Sequence, residues 1–305
     1  LLDFDNNQLT DMVTVDNAMW ELISDLDSKS TMMGVKKNET FSMEALLYGL
    51  MLDSGNDAAV VIACYVGGTY DEFIAMMNAR AEELGMKDTH YVNPHGLPDE
   101  SHVTTARDMA LLAMYAKENY PMFTTIVSTA EYQPADTNLT SFSSTGYKYT
   151  NSNKLIIENQ QFYYQYADGI KTGYTIAAES VLVSSAEYEG QSLVAVVMKD
   201  GSEEKWTNSI TLFNYAFDFY DTIELSELFA DETFTVNVEE ADMYTTGDQL
   251  TIALGQGENV YLTEPTQAIE DILADKDIYF TQTIAYNAET LTAPINEGDE
   301  LGTIT

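Results

Sequence analysis

Apolar residues follow two different rhythms along this chain. In SMEALLYGLMLD, Leu46, Leu47, Leu50 and Met51 recur at helical spacing behind Ser42, which predicts a helix capped by that serine. SGN interrupts the pattern at 54–56, and DAAVVIACYVG resumes it as a second apolar helix. TYDEFIAMMNARAEELG reads as an amphipathic helix stopped at Gly85. TTARDMALLAMYAKEN opens on Thr105 and Asp108, a capping box in its acidic form, and predicts a helix to Asn119. In AESVLVSSAEYEGQSLVAVVMKD the rhythm changes to two β-rich runs around Glu189-Gly190, which predicts a hairpin. WTNSITLFNYAFDFY then spaces Trp206, Ile210, Phe213, Phe217 and Tyr220 as a helix would.

Beyond Asp221 the texture is short β-like runs (TFTVNV, QLTIAL, NVYLT) separated by Gly, Asp and Asn, as in a small sandwich or barrel. The expected organisation is a mixed α/β domain over 1–221 and a β-sandwich-like domain over 222–305. A chain of 305 residues is long enough for both. No apolar run approaches the roughly 20 residues of a membrane span.

Composition narrows the partners. Fifty acidic against 13 basic residues leave a formal charge of −37, a field that repels nucleic acid and anionic lipid headgroups. The acidity reads as an adaptation of the whole surface rather than as an acidic binding face. The single cysteine, Cys64 in AAVVIACYV, reads as a packed core residue and excludes an internal disulfide.

Two short motifs carry candidate chemistry. LDSGNDAA places Ser54 and Asn56 as S-x-N in a tight turn between helices, where Asn56 could equally cap the helix starting at Asp57. DGIKTGYT places Lys171, Thr172 and Gly173 as K-T-G where a strand precedes the hairpin; a solvated lysine beside an ordinary Thr-Gly turn is the plain alternative. Together and in this order, S-x-N and K-T-G are two of the three motifs of penicillin-binding proteins and class A β-lactamases.

The surrounding text resembles the low-molecular-mass penicillin-binding proteins that act as D-alanyl-D-alanine carboxypeptidases. STMMGVKKNETFSMEALLYGLMLDSGNDAA, DTHYVNPHGLPDESHVTTARDMALLA, TNSNKLI, DGIKTGYT, VYLT and TLTAPINEGDELGTI all carry the likeness. The resemblance implies an α/β (α+β) penicillin-binding/β-lactamase-like transpeptidase domain followed by a smaller all-β domain. It implies a serine acyl-enzyme and no metal or other cofactor. The implied partners are a peptidoglycan stem peptide ending in D-Ala-D-Ala and β-lactam antibiotics, outside the cytoplasmic membrane; membrane association of the full-length parent stays open. By the same resemblance Ser54 relays a proton, Asn56 holds the substrate amide and the base lysine, and Lys171 adds positive charge beside them. Thr172 takes the terminal carboxylate, Gly173 leaves room for substrate backbone, and the Tyr174 N–H supplies half of an oxyanion hole. Lys205 stands where the family generally places a carboxylate-binding arginine, and a point charge replaces a bidentate fork there.

One departure matters. The family's nucleophile lies in S-x-x-K upstream of S-x-N, and the only S-x-x-K here is Ser202 to Lys205, after K-T-G. The expectation is therefore a fragment of an active enzyme; a pseudoenzyme that binds stem peptides is the alternative. A β-lactamase is disfavoured, since no deacylating glutamate motif lies between S-x-N and K-T-G. His90, His95 and His102 match no compact zinc spacing.

Overall fold

The computed structural model describes residues 9–229, 233–237, 249–253, 261–281, 284–286 and 302–304. It divides into two compact units, Leu1–Tyr215 and Ala216–Thr305. Residues 1–8, which open the chain, and most of TLTAPINEGDELGTI lie outside the described residues.

In the first unit, β1 (Met12–Thr14) leads to α1 (Asn17–Ser24), whose first turn is closed by the Asp16 carboxylate accepting from the Met19 N–H at 2.8 Å. The chain returns as β2 (Thr40–Ser42), antiparallel to β1 with Val13 opposite Phe41, both buried. Ser42 caps α2 (Met43–Met51) as expected, accepting from the Ala45 N–H at 3.2 Å. A four-residue turn leads into α3 (Asn56–Gly67), whose residues Asp57 to Ala63 are all buried. A helix apolar on every side belongs in a core, and this one is the centre of the first unit. Gly67 ends it because a Cβ there would meet the Phe73 backbone nitrogen at 2.6 Å, so the corner into α4 (Tyr70–Glu83) closes only on glycine.

Thr105 caps α5 (Ala106–Asn119), but the capping box is one-sided. The Asp108 carboxylate is buried and accepts from the Asp88 N–H and the Thr89 hydroxyl, tying α5 to the preceding loop. Pro121 opens α6 (Pro121–Ser128). Next come β3 (Glu131–Tyr132), the short α7 (Phe142–Thr145) and β4 (Tyr149–Thr150), which pairs with β3. Tyr132 stacks on Tyr48 of α2 at 3.8 Å and faces Tyr149 at 6.1 Å, so an aromatic column joins this layer to the core.

The long strands β5 (Ala167–Thr175), β6 (Glu179–Tyr188) and β7 (Gln191–Asp200) form an antiparallel meander in that order. Glu189 and Gly190 both take positive φ (50° and 81°), the two-residue turn that matches strand twist. Among the described residues β5 and β7 are the two edges of this sheet. The chain then enters α8 (Glu204–Phe219), with Trp206 and Phe213 buried; Tyr220, expected within this helix, begins a strand instead.

In the second unit Thr233–Asn237 pairs with Gln249–Ala253, both in expected runs, while Tyr261–Pro265 in the third run pairs with Tyr220–Glu224, which the sequence pattern did not mark as a strand. Thr266–Ala274 is a helix that the β-like texture did not announce, held by buried Ile269 and Ile272 three residues apart. No single helix among the described residues is long and apolar enough to cross a membrane.

One buried carboxylate holds the core loop. Asp57, 1% exposed, accepts from the backbone N–H groups of Met33, Gly34 and Val35, each at 2.9 Å, and of Ala58 at 3.0 Å. Replacing it strands three buried donors, each costing about 1–3 kcal/mol. Asp57→Ala is therefore expected to lose about 3 kcal/mol or more, read as a lower urea midpoint.

Candidate active site

The site is a strand laid against a turn. Along β5, Ile170 points into the core against Ala113 and Val127, so Lys171 points to the opposite face. There its Nζ donates to Ser54 Oγ and, at 3.0 Å, to the carbonyl of Thr172. Ser54 sits at the apex of the α2–α3 turn with φ 58°, a left-handed conformation that costs a non-glycine residue about 1 kcal/mol or more.

Four hydrogen bonds hold Ser54 there. The Gly55 amide donates to the Gly49 carbonyl at 3.1 Å and the Asn56 amide to the Thr31 carbonyl at 3.0 Å. The Asp53 carboxylate accepts from the Tyr147 hydroxyl at 2.6 Å and the Thr150 N–H at 3.0 Å. The strand is fixed as firmly: the Asp168 carboxylate is bridged between Lys117 Nζ and Ser185 Oγ, each at 2.5 Å.

Asn56 is not the helix cap that the sequence allowed. The helix begins at Asn56 itself, with Gly55 in the cap position and no side-chain cap bond. The neighbouring Asp57 already serves the Ala58 N–H, which leaves the Asn56 side chain outside the capping. Thr172 Oγ1 meets Ser152 Oγ at 2.6 Å. A Cβ at Gly173 would meet Val181 Cγ2 of the paired strand at 2.7 Å, so β6 by itself already requires glycine there. Tyr174 is exposed on the edge strand. Lys205 is buried at the start of α8, its Nζ 4.8 Å from the centroid of the Trp206 ring, while Ser202 lies in the exposed turn ahead of it.

Electrostatics set the lysines apart from ordinary surface cations. Lys171 is lowered to about 8, first by removal from water and then by the charge of Lys205. Lys205 is lowered in turn, first by removal from water and then by Lys154. Lys154, Ser152, Asp53 and Lys117 were not singled out from sequence. Ser152 and Lys154 lie in TNSNKLI, a run whose likeness to a family was visible while its contacts were not.

The histidines have structural partners. His95 Nε2 meets the Tyr70 hydroxyl at 3.2 Å, His102 Nδ1 accepts from the Val92 N–H at 3.1 Å, and His90 Nδ1 meets the Ser101 carbonyl at 2.9 Å. Among the described residues no three His, Cys, Asp or Glu side chains gather around a common point.

A family described as D-alanyl-D-alanine carboxypeptidase matches residues 2–202. D-alanyl-D-alanine carboxypeptidase DacA of Escherichia coli (strain K12) is 29% identical over 299 residues, which cover 97% of this chain and 66% of that protein. DacF of Bacillus subtilis (strain 168) is 31% identical over 274 residues, covering 88% of this chain and 63% of that one. The chain thus spans about two thirds of the length of the relatives it matches. Penicillin binding protein 5 from Haemophilus influenzae superposes with a TM-score of 0.67 at 26% identity, over 97% of this chain and 77% of that chain. The Streptomyces K15 DD-transpeptidase does so at 0.61 and 28%, over 71% and 82%. The fold is that of the penicillin-binding/β-lactamase-like transpeptidases.

His95 gives this unit a pH dependence. Burial, with the charge of His102 second, lowers it from 6.5 to about 4. The folded state thus resists a proton that the unfolded chain accepts, so this contribution is complete above pH 6.5 and is lost as pH falls from 6.5 towards 4. Urea midpoints measured at pH 7 and pH 5 are expected to drop more for the wild type than for His95→Gln; equal drops would overturn the assignment.

Proposed function

The chain belongs to the D-alanyl-D-alanine carboxypeptidase family, and we propose that the complete protein removes the terminal D-alanine of peptidoglycan stem peptides through a serine acyl-enzyme that penicillin traps. The observation that carries this reading is the contact between Lys171 Nζ and Ser54 Oγ, which joins K-T-G to S-x-N across the site. Residues 1–221 are read as the peptidase domain and 222–305 as the β-rich domain. The work is done in the cell envelope, where the substrate is.

The nucleophile comes from the S-x-x-K motif that the family carries and that this sequence lacks ahead of Ser54. That serine attacks the carbonyl of the penultimate D-alanine and its proton passes to the motif's lysine. Ser54 relays the proton to the departing amine as the C–N bond breaks, and water then releases the shortened peptide. Lys171, cationic below pH 8 and donating to Ser54, orients the relay hydroxyl and favours the neutral, basic form of the motif lysine. Asn56 holds the substrate amide, Thr172 and Lys205 take the terminal carboxylate, and the Tyr174 N–H faces the developing oxyanion. Gly173 keeps the strand edge clear for the peptide as well as for Val181.

Without the S-x-x-K segment, the 305 residues hold the supporting half of the site and are expected to be inactive alone. The intact mass of the natural protein, with and without benzylpenicillin, tests the reading. A chain heavier than 33.9 kDa that gains one penicilloyl adduct supports it. A 33.9 kDa chain with no adduct overturns it in favour of a peptide-binding pseudoenzyme.

In the full-length protein Lys171→Ala is expected to slow penicillin acylation by about 100-fold or more with the unfolding transition unchanged. Because the charged form is the working one, acylation should fall as pH rises through about 8. A rate flat from pH 7 to 10 would sink this role for the lysine.

A further inference from the structure

Thirteen basic residues against 50 acidic ones make any cluster of uncompensated cations unusual in this chain. Lys154 and Lys205 form one. Lys205 Nζ lies 4.8 Å from the Trp206 ring and Lys154 Nζ 5.7 Å from the Phe162 ring, and the two rings stack on each other at 6.2 Å. The two ammonium groups therefore flank one aromatic pair although they come from different segments, the 151–154 loop and the start of α8. Among the described residues neither lysine forms an ion pair, while Lys117, Lys148 and Arg80 each do. The buried indole N–H of Trp206 and the buried side-chain NH2 of Asn153 have no hydrogen-bond partner among the described residues.

The loop is tied to the strand edge, since Ser152, two residues before Lys154, meets Thr172 Oγ1 at 2.6 Å. Two cations without ion pairs, one of them on the loop that touches Thr172, describe a place for a carboxylate. We infer that Lys154 and Lys205 bind the terminal carboxylate of the peptide jointly, two ammonium groups from separate segments doing the work of one guanidinium, so that Lys154 determines specificity for a free C-terminus. After desolvation, the charge of Lys154 lowers Lys205 and that of Lys205 lowers Lys171, which fits cations held together until an anion arrives. The inference rests on the carboxypeptidase reading, and it adds a residue that the motifs do not contain.

The test uses the full-length protein and two acetylated peptides, one ending in D-Ala-D-Ala and the other in its C-terminal carboxamide. Lys154→Ala is expected to lower kcat/KM about tenfold for the free acid, leave the carboxamide little changed, and be rescued by Lys154→Arg. Equal losses on both peptides, or none, would overturn the inference. Should the wild type release neither D-alanine from the free acid nor D-alaninamide from the carboxamide, the carboxypeptidase reading itself fails. The carboxylate site is then decided by titrating N-acetyl-D-alanine while following lysine side-chain NMR signals. Joint shifts of Lys154 and Lys205 without Lys117, weakened about tenfold by Lys154→Ala, support it; unmoved signals overturn it.

Discussion

A lysine held against a serine 117 residues away in the chain is the contact on which the rest of the site depends. Neither partner is placed by its immediate neighbours alone. Ser54 keeps a left-handed φ because Asp53 is gripped by Tyr147 and Thr150 and because the next two amides find carbonyls at Gly49 and Thr31. Lys171 keeps its direction because Ile170 is locked in the core and Asp168 is bridged between Lys117 and Ser185. Small errors in either support would separate two groups that must stay in hydrogen-bond reach.

The electrostatics run against the overall charge of the chain. A field of −37 favours cations, yet Lys171 and Lys205 are both shifted toward neutrality. Range decides the matter: exposed charges beyond about 10 Å are screened, whereas desolvation and a second ammonium nearby are not. Local burial therefore wins over the acidic surface. The result is a small cationic site in an acidic molecule.

Most of the site domain was legible in the sequence because its signals are local. Ser42 and Thr105 cap the helices they precede, Gly85 follows its helix in a left-handed conformation, and Glu189-Gly190 forms the expected hairpin turn. Asn56 misled as a cap because Asp57, one residue on, already serves the start of the helix while its carboxylate holds the 33–35 loop. The helix at 266–274 escaped because buried Ile269 and Ile272 are too few to set a period against strand-like flanks.

The sequence by itself determined the order of helices and strands, the turn that carries Ser54, the strand that carries Lys171, and the family to which both motifs point. Hydrophobic period, caps and turn residues act within a few positions, and one chain displays them directly. Only the tertiary structure decided that Asp53 anchors the serine turn, that Asp168 anchors the strand, and that Lys154 and Lys205 each lie against one ring of a stacked aromatic pair. Those contacts join residues tens of positions apart, and a sequence shows separation along the chain but not distance in space.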